Sequence, residues 1–315
     1  MKASVAWLVA IGVLAAAPYA VGAWTDLLTE LLIWALFALS LDLIFGQATL
    51  YSFGHAAFFG AGAYAAALTV HHGLGGFWTG LAAGVLAGGI VGALVALFAA
   101  RSAGVVFIIL TALLSHVLFT LAHVLTGVTG GENGIYLFKP LVLWHGITTA
   151  AGHSFYWLVL ALTAGALALA RLVIRSPFGH VIIAIRENEG RTQAMGYNTT
   201  AFKVKITLFS AALAGLAGAL NAFMNKFVSP ESLGLALSTQ VVIWALLGGM
   251  GTLVGPMVGA VALVVVTDVL NRFVTGYVIV IGAILIVTVI FLPGGIVGLL
   301  PGFRSRVLAD LRRGR

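Results

Sequence analysis

The amino-acid sequence predicts an all-α integral membrane protein with about ten transmembrane helices, including broken or re-entrant segments. Three observations carry this prediction: the 315-residue chain is 61% hydrophobic, it is only 8% charged, and it contains many long apolar runs. Soluble domains average about 25% charged residues, so a chain with this little polar surface is suited to a bilayer and not to water. The chain has no cysteine, which excludes disulfides, thiolate metal sites and a catalytic thiol.

Ten apolar runs approach the roughly 20 residues that a helix needs to cross a bilayer. The first run resembles a signal peptide, but the apolar character of the whole chain favours a first transmembrane helix. GGMGTLVGP interrupts residues 239–271, which form either two spans or one broken element. The predicted spans are 5–22, 27–45, 55–70, 77–99, 103–126, 154–174, 204–224, 239–254, 256–271 and 276–298.

Basic residues predict the orientation of these spans, because lysine and arginine accumulate on the cytoplasmic side. They concentrate between the sixth and seventh spans and in the tail 304–315, with four spans between the two regions. We therefore expect both regions and the N-terminus to be cytoplasmic, and the loop 127–153 to face outward. Residues 1–303 are expected to form a single transmembrane domain, followed by the basic tail.

Small residues recur every four positions in two of the predicted spans. Lipid supplies no hydrophobic force between helices, so such positions let helix backbones approach closely. We expect them to serve tight helix packing and not ligand binding. They are Gly84, Gly88 and Gly92 in one span, and Ala211, Gly215 and Ala219 in the other.

Residues 46–64, GQATLYSFGHAAFFGAGAY, combine glycine with polar side chains at membrane depth. This pattern predicts a broken helix whose freed backbone groups face protein or a cavity, and such breaks form substrate sites in transporters. Gln47, Ser52 and His55 are therefore candidate pathway residues. A second glycine-rich break at 248–256 indicates an internal repeat, although the two segments do not match in sequence.

Further candidate pathway residues lie in the fifth span and in the outward loop. His116, Thr120 and His123 share a helical face, which either lines a polar passage or supplies interhelical hydrogen bonds. The loop sequence TGGENG places Glu132 and Asn133 in a turn near a pathway mouth.

Acidic residues are rare in the spans, and each is a functional candidate by default. Asp42 lies near the end of the second span, and Asp268 lies four residues before Arg272, which predicts a local ion pair. The chain contains no G-x-x-x-x-G-K-[ST], H-E-x-x-H or G-x-S-x-G motif. We therefore predict a transporter subunit and not an enzyme, with no catalytic residue, metal ligand or cofactor of its own.

Residues 176–198, SPFGHVIIAIRENEGRTQAMGYN, concentrate charge in an otherwise apolar chain. Ser176 and Pro177 suit the cap and first turn of a helix, and Gly196 suits its end. The spacing predicts a short amphipathic helix with Val181, Ile182 and Ile185 on one side and Arg186, Glu189 and Gln193 on another.

Charges of both signs distinguish this helix from one that rests on lipid headgroups, which is usually basic. We therefore expect it to dock on another protein, with its apolar side supplying the contact area and its charges supplying register and partner choice.

The segment resembles the cytoplasmic coupling segment of LivM-type permeases of branched-chain amino-acid ABC importers, whose pattern is close to S-P-F-G-R-x-x-x-A-I-R-E-N-E-x-x-A-x-A-x-G. The likeness extends in order to GQATLYSFGHAAFFGAGAY, TGGENGI, GGMGTLVGPMVGA and FLPGGIVGLL, and covers roughly residues 27–303. The chain departs from the family pattern at Phe53, where leucine is usual, and at Arg191 and Thr192, where small residues are usual.

The resemblance implies a type II ABC importer permease with ten spans in a bacterial inner membrane. Its function would be to translocate branched-chain or other hydrophobic amino acids, or a related small polar solute. The implied partners are a second, LivH-like permease, two cytosolic ATPases that bind the ATP, and an extracytoplasmic solute-binding protein. The coupling segment 176–203 would contact the ATPases, through Ser176, Pro177, Phe178, Gly179, Ile185, Arg186, Glu187, Asn188, Glu189 and Gly196.

Two other functions fit an apolar multi-span chain. A stand-alone ion-coupled secondary transporter would carry acids at midspan, whereas the few acids here lie near span ends. A membrane-embedded enzyme would need a cluster of His, Asp and Glu. Within the permease interpretation, urea or a small organic acid is an alternative substrate, because specificity would reside largely in the binding protein.

Overall fold

The computed structural model describes residues 24–99, 104–137, 141–144, 147–148, 153–273, 277–291 and 294–298. The predicted first span, 5–22, and the tail 304–315 lie outside the described residues. Within them the chain is an almost entirely helical bundle with two pairs of short antiparallel strands.

The helices follow the apolar runs of the sequence closely. The longer helices are α1 (Thr25–Phe45), α2 (His55–His71), α3 (Phe77–Ala99), α4 (Val105–Val124), α6 (Ser154–Arg175), α9 (Thr199–Asn225), α10 (Leu235–Gly248), α11 (Val254–Phe273) and α12 (Tyr277–Phe291). The shorter elements are α5 (Thr126–Thr129), α7 (Pro177–Glu187), α8 (Glu189–Ala194), α13 (Gly295–Gly298), β1 (Ile135–Tyr136), β2 (Val142–Trp144), β3 (Ile147–Thr148) and β4 (Phe227–Val228).

Six of the described helices, α1, α3, α4, α6, α9 and α11, are long and apolar enough to cross a bilayer. The helical membrane fold is therefore supported, but the expected count of about ten spans is not confirmed. Helices α2, α10 and α12 have 17, 14 and 15 residues, at or below the lower limit for a complete crossing.

Helices α1 and α9 form the centre of the bundle, and most of their side chains are buried, whereas most side chains of α4 and α11 are exposed or only partly buried. All four are strongly apolar. A helix that is apolar on every side is stable either in a protein core or against lipid. The bundle uses both options, with α1 and α9 inside and α4 and α11 at the periphery.

Tight packing of α3 against α9 confirms the prediction from the small-residue spacing. A Cβ atom on Gly88 would lie 2.6 Å from the Ala211 carbonyl oxygen and 2.8 Å from the Gly215 Cα. A Cβ atom on Gly84 would lie 2.7 Å from the Ala219 Cβ. These distances leave no room for a side chain, so the glycines set the separation of the two helices.

The chain between α1 and α2 turns back into the protein. The Phe53 amide donates to Thr111 Oγ1 at 3.2 Å, and His55 Nε2 lies 2.8 Å from Ser40 Oγ. Ser40 precedes the end of α1 by five residues, or about 8 Å of helix, so α2 begins inside the bundle. The predicted break is therefore observed at 46–54, whereas 55–64 is regular helix.

A second irregular stretch, 226–234, leads from α9 to α10. The Ser238 hydroxyl of α10 accepts from the Ala56 amide at 2.9 Å, which places the first turn of α10 beside the start of α2. The glycine-rich stretch that the sequence analysis singled out, 248–256, instead contains the turn 249–253 between two separate helices. Long helix, irregular segment, short helix and long helix thus follow one another twice, as an internal repeat would give.

The two ends of α9 mark opposite ends of the bundle, since its 27 residues span about 40 Å. Lys203 in its first turns pairs with Glu189 of α8. Its other end leads into β4, whose Val228 lies opposite Ile135 of β1. Helices α7 and α8 therefore lie at one end, and the TGGENG loop that precedes β1 lies at the other.

Candidate functional site

The charged segment forms two short helices, where the sequence analysis expected one. The Ser176 hydroxyl caps α7 by accepting from the Gly179 amide at 3.4 Å, with Pro177 as first residue, as predicted. The helix ends at Glu187 because Asn188 is extended, with φ −160°, and its side chain caps α8 by accepting from the Arg191 amide at 2.8 Å. Asparagine is a favoured helix N-cap. Asn188 was therefore the sequence signal that the segment is divided into two helices.

The apolar side of α7 packs against the helical bundle of the same chain. Ile182 is fully buried and Ile185 is almost so, and the Phe178 ring stacks on Phe202 of α9 at 5.2 Å. The expectation that this side supplies the docking area for another protein is therefore wrong. A helix with a single apolar stripe buries it where water is excluded, and here the bundle supplies that place.

The opposite side of α7 and α8 is exposed, and it ends in two large apolar side chains. Met195 is 68% exposed and Tyr197 is 46% exposed, and both follow a polar stretch that includes Glu187 and Arg191. Exposed apolar residues rimmed by charge are typical of protein interaction sites. The sequence analysis did not identify Met195 and Tyr197 as an exposed pair. The signal in the sequence was the presence of these two apolar residues on either side of Gly196, whose φ is +89°.

Arg186 is an exposed residue, but its guanidinium points back toward the bundle. Its Nη1 donates to the Gly46 carbonyl oxygen at 3.0 Å, which joins α7 to the residue directly after α1. A Cβ atom on Gly251 would lie 3.1 Å from the same Nη1 atom. The guanidinium is thus wedged between the end of α1 and the turn that connects α10 with α11.

Asp42 is a fully buried carboxylate in the last turn of α1. Its Oδ1 accepts from the Gly251 amide at 2.7 Å, and its Oδ2 accepts from the Leu253 amide at 2.9 Å. Gln47 Nε2 also donates to Oδ2, at 3.4 Å. A buried charge needs such partners, and the Arg186 guanidinium interacts with it electrostatically. The candidate pathway residue Gln47 is thus part of this buried network.

A second network attaches α8 to α9. Lys203, which is almost fully buried, forms an ion pair with Glu189 at 2.6 Å. The Thr199 hydroxyl donates to the same carboxylate oxygen at 3.0 Å and accepts from Gln193 Nε2 at 3.0 Å. The short helix α8, only six residues long, is held in place by these contacts.

Replacing Glu189 with alanine should lower the free energy of unfolding by about 2 kcal/mol, because it leaves the Lys203 ammonium buried without its partner. The matched control is Asp268→Ala, which removes the predicted and observed pair of Asp268 with Arg272. Both partners of that pair are exposed and 2.8 Å apart, so its loss should cost about 0.5 kcal/mol or less. Thermal unfolding of the purified variants compares the two; equal losses would contradict the structural role of Glu189.

Four hydroxyl groups and a histidine form a buried polar seam between α1, α2, α9 and α10. Ser40 Oγ donates to the Phe37 carbonyl oxygen at 2.6 Å, so the His55 Nε2 proton must be donated to Ser40 Oγ. Ser210 Oγ donates to the Ser40 carbonyl oxygen at 2.5 Å. His55 Nδ1 is buried without a hydrogen-bond partner among the described residues. The seam is completed by Ser52 and Ser238, both fully buried.

The structure does not bring all six candidate pathway residues together. Ser52 and His55 lie in the buried seam, whereas His116 is exposed on α4 beside Phe119. Glu132 and Asn133 are exposed in a turn of 3-10 helix, near the end of the bundle opposite α7 and α8.

The fifth predicted span forms hydrogen bonds to the irregular segments 46–54 and 226–234, through residues other than its histidines. Ser115 Oγ donates to the Leu233 carbonyl oxygen at 2.8 Å, and Thr111 accepts from the Phe53 amide. His123 Nδ1 faces the Phe119 carbonyl oxygen of its own helix, at 3.1 Å. The hydrogen-bonding face of α4 is therefore the one that carries Thr111 and Ser115.

A polytopic helical bundle with re-entrant segments at its centre and a charged helical pair at one end is consistent with an integral membrane permease. The chain belongs to the family described as branched-chain amino acid transport system / permease component, whose model matches residues 23–289. This confirms the resemblance noted from the motifs. Members of such a family are transporter subunits and not enzymes.

Two relatives illustrate the similarity. The high-affinity branched-chain amino acid transport system permease protein LivM of Escherichia coli (strain K12) is 30% identical over 314 residues, covering 92% of this chain and 74% of the relative. The protein of the same name from Salmonella typhimurium (strain LT2) is 30% identical over 293 residues, covering 86% of this chain and 69% of the relative. No solved structure shows a significant match to the chain.

Proposed function

We propose that this chain is the membrane subunit of an ATP-driven importer that carries branched-chain amino acids across a bacterial inner membrane. The observation that carries this proposal is the construction of α7 and α8. Their apolar side is fixed to the bundle through Ile182 and Ile185, while Glu187, Arg191, Met195 and Tyr197 are presented on the outside. This surface is fixed to the bundle, exposed, and composed of both charged and apolar side chains. Such a surface suits a contact through which a soluble protein moves a membrane protein.

The soluble partner in this proposal is a pair of cytosolic ATPases, because the chain has no phosphate-loop motif. The end of the bundle that carries α7 and α8 then lies in the cytoplasm, in agreement with its content of lysine and arginine. The opposite end, with Glu132 and Asn133, receives substrate from an extracytoplasmic binding protein. A second, homologous permease completes the transmembrane pathway.

Branched-chain amino acids are the proposed substrate because both curated relatives carry them in their names. An apolar substrate side chain also suits a bundle whose interior is mainly apolar, with a few hydroxyl groups in the seam around His55. Movement of α7 and α8 would rock the attached helices and open the pathway alternately to the two sides.

Replacing Met195 with aspartate should reduce co-purification of the ATPases by about tenfold or more, because it puts a charge into an apolar contact. The side chain is 68% exposed in the isolated chain, so folding is expected to be unchanged. The measurement is affinity purification from the native membrane, with the ATPases identified by the phosphate-loop motif in their mass-spectrometric sequences.

The control is Leu74→Asp, an equal change at a residue that is 77% exposed in the turn between α2 and α3. It should leave the recovery of ATPases unchanged. Full recovery with Met195→Asp would exclude this surface as the docking site. Recovery of no ATPase with the wild-type chain would overturn the proposed function.

A further inference from the structure

Three parts of the chain that are distant in sequence meet beside Arg186. Its guanidinium donates to the carbonyl oxygen of Gly46, 140 residues away. Gly46 directly follows helix α1 and is the first residue of the re-entrant segment 46–54. This contact therefore joins the exposed helix α7 to the start of the segment that leads to His55.

The turn between α10 and α11 is attached to the same place. Asp42 accepts from the Gly251 and Leu253 amides of this turn, 209 and 211 residues away. A Cβ atom on Gly46 would overlap both the Asp42 carboxylate and the Gly251 amide nitrogen. The close approach thus requires glycine at 46, and the end of α1, the turn and the Arg186 side chain form one packed unit.

Both attached elements lead directly to the buried seam. The segment 46–54 ends beside Ser40 and His55, and α10 carries Ser238, whose hydroxyl accepts from the Ala56 amide at the start of α2. A displacement of α7 that is passed to Gly46 and to the 249–253 turn therefore reaches the seam from two sides.

We propose that Arg186 is a positioning residue for coupling, which with Asp42 transmits displacement of α7 to α1 and to the α10–α11 turn together. This inference rests on the proposed function and assigns Arg186 a role inside the permease, distinct from contact with an ATPase. The hydrogen bond of Arg186 is made to the backbone of the bundle. Removing this side chain should therefore detach α7 from Gly46 without removing the surface on which the ATPases dock.

The first test compares Arg186→Ala with Lys205→Ala in the complete transporter reconstituted in vesicles. Lys205 is an exposed basic residue at the nearby start of α9, so the control removes an equal charge at the same end of the bundle. We expect Arg186→Ala to retain its ATPases and its ATP hydrolysis, while [3H]leucine uptake per ATP hydrolysed falls about tenfold relative to Lys205→Ala. Arg186→Lys, which keeps a charged donor, should restore part of the ratio.

An unchanged ratio in Arg186→Ala would overturn the inference. Loss of the ATPases from this variant would also overturn it, by showing that Arg186 serves docking. If the wild-type chain recovers no ATPase at all, the proposed function itself fails, which is a distinct result.

A second test is independent of the substrate. The chain contains no cysteine, so spin labels can be attached at His180→Cys on α7 and Leu246→Cys on α10, both exposed positions. We expect the distance between these labels to stay constant when the complex is trapped with ATP and vanadate, because the two helices move together. In Arg186→Ala the same treatment should change the distance; an equal change with Arg186 present would contradict the coupling.

Discussion

Asparagine in place of Asp42 is expected to lower the free energy of unfolding by about 3 kcal/mol. The carboxylate accepts from two backbone amides, Gly251 and Leu253, through its two oxygens. Asparagine offers one oxygen, so its NH₂ group would face a backbone N–H and leave that donor unsatisfied in a buried place. The change also removes the negative charge near Arg186.

The measurement is thermal unfolding of the purified chain in a single detergent, followed by tryptophan fluorescence. The matched control is Asp26→Asn, the same chemical change at an exposed position in the first turn of α1. That control should stay within about 0.5 kcal/mol of the wild type. Equal stability of the two variants would show that the Asp42 network does not hold the 249–253 turn.

Valine in place of Gly88 should cost about 3 kcal/mol, at the upper end of what overpacking costs in a core. A side chain at 88 meets backbone atoms of Ala211 and Gly215 within 3.0 Å. Backbone in a helix cannot move aside as a flexible side chain can, so α3 and α9 must separate. Their separation would also disturb α2, which packs on both.

Gly89 supplies the control, because it is the next residue of the same helix and a Cβ atom there would meet no atom within 4 Å. Gly89→Val should be neutral or stabilising by about 0.5 kcal/mol, since valine is the better helix former. Both variants introduce valine into the same helix, so they share the same change in helix propensity. The difference between their melting temperatures therefore reports the cost of packing alone. A loss of stability that is equal in both would contradict the packing of α3 on α9.

Much of the fold follows from local patterns in the sequence. Apolar runs of limited length predicted most of the described helices, small residues four apart predicted the contact of α3 with α9, and Ser176 with Pro177 predicted the start of α7. Each of these signals lies within a few residues. The i, i+4 pair of Asp268 and Arg272 belongs to the same class, and the structure confirms it at 2.8 Å.

The Asn188 cap and the exposed pair Met195 and Tyr197 had local signals that were overlooked, whereas other missed features depend on contacts between distant parts of the chain. The amphipathic pattern of α7 showed that Ile182 and Ile185 are buried, but a pattern does not say whether the bundle or a partner covers them.

Asp42 accepts from the backbone amides of Gly251 and Leu253, and Arg186 donates to the backbone carbonyl oxygen of Gly46. Backbone groups carry no residue-specific signal in the sequence. The break at 226–234 was missed for a different reason, because it contains few glycines.

The alternative of a stand-alone ion-coupled transporter finds no support in these contacts. Among the described residues, Asp42 is the buried acid, and its oxygens are occupied by backbone amides at one end of α1. A proton or ion carrier needs an acid that exchanges its partner during transport. Asp42 serves the structure of the turn instead.

The most direct test of the central claim, that ATPases dock on the exposed side of α7 and α8, is site-specific cross-linking. A single cysteine introduced at Met195 in this cysteine-free chain can carry a photoactivatable maleimide. After illumination of native membranes, the account predicts an adduct with a subunit that contains a phosphate-loop motif, and no such adduct from a cysteine at Leu74. An ATPase adduct at Leu74, or none at Met195 while the ATPases remain bound to the complex, would contradict it.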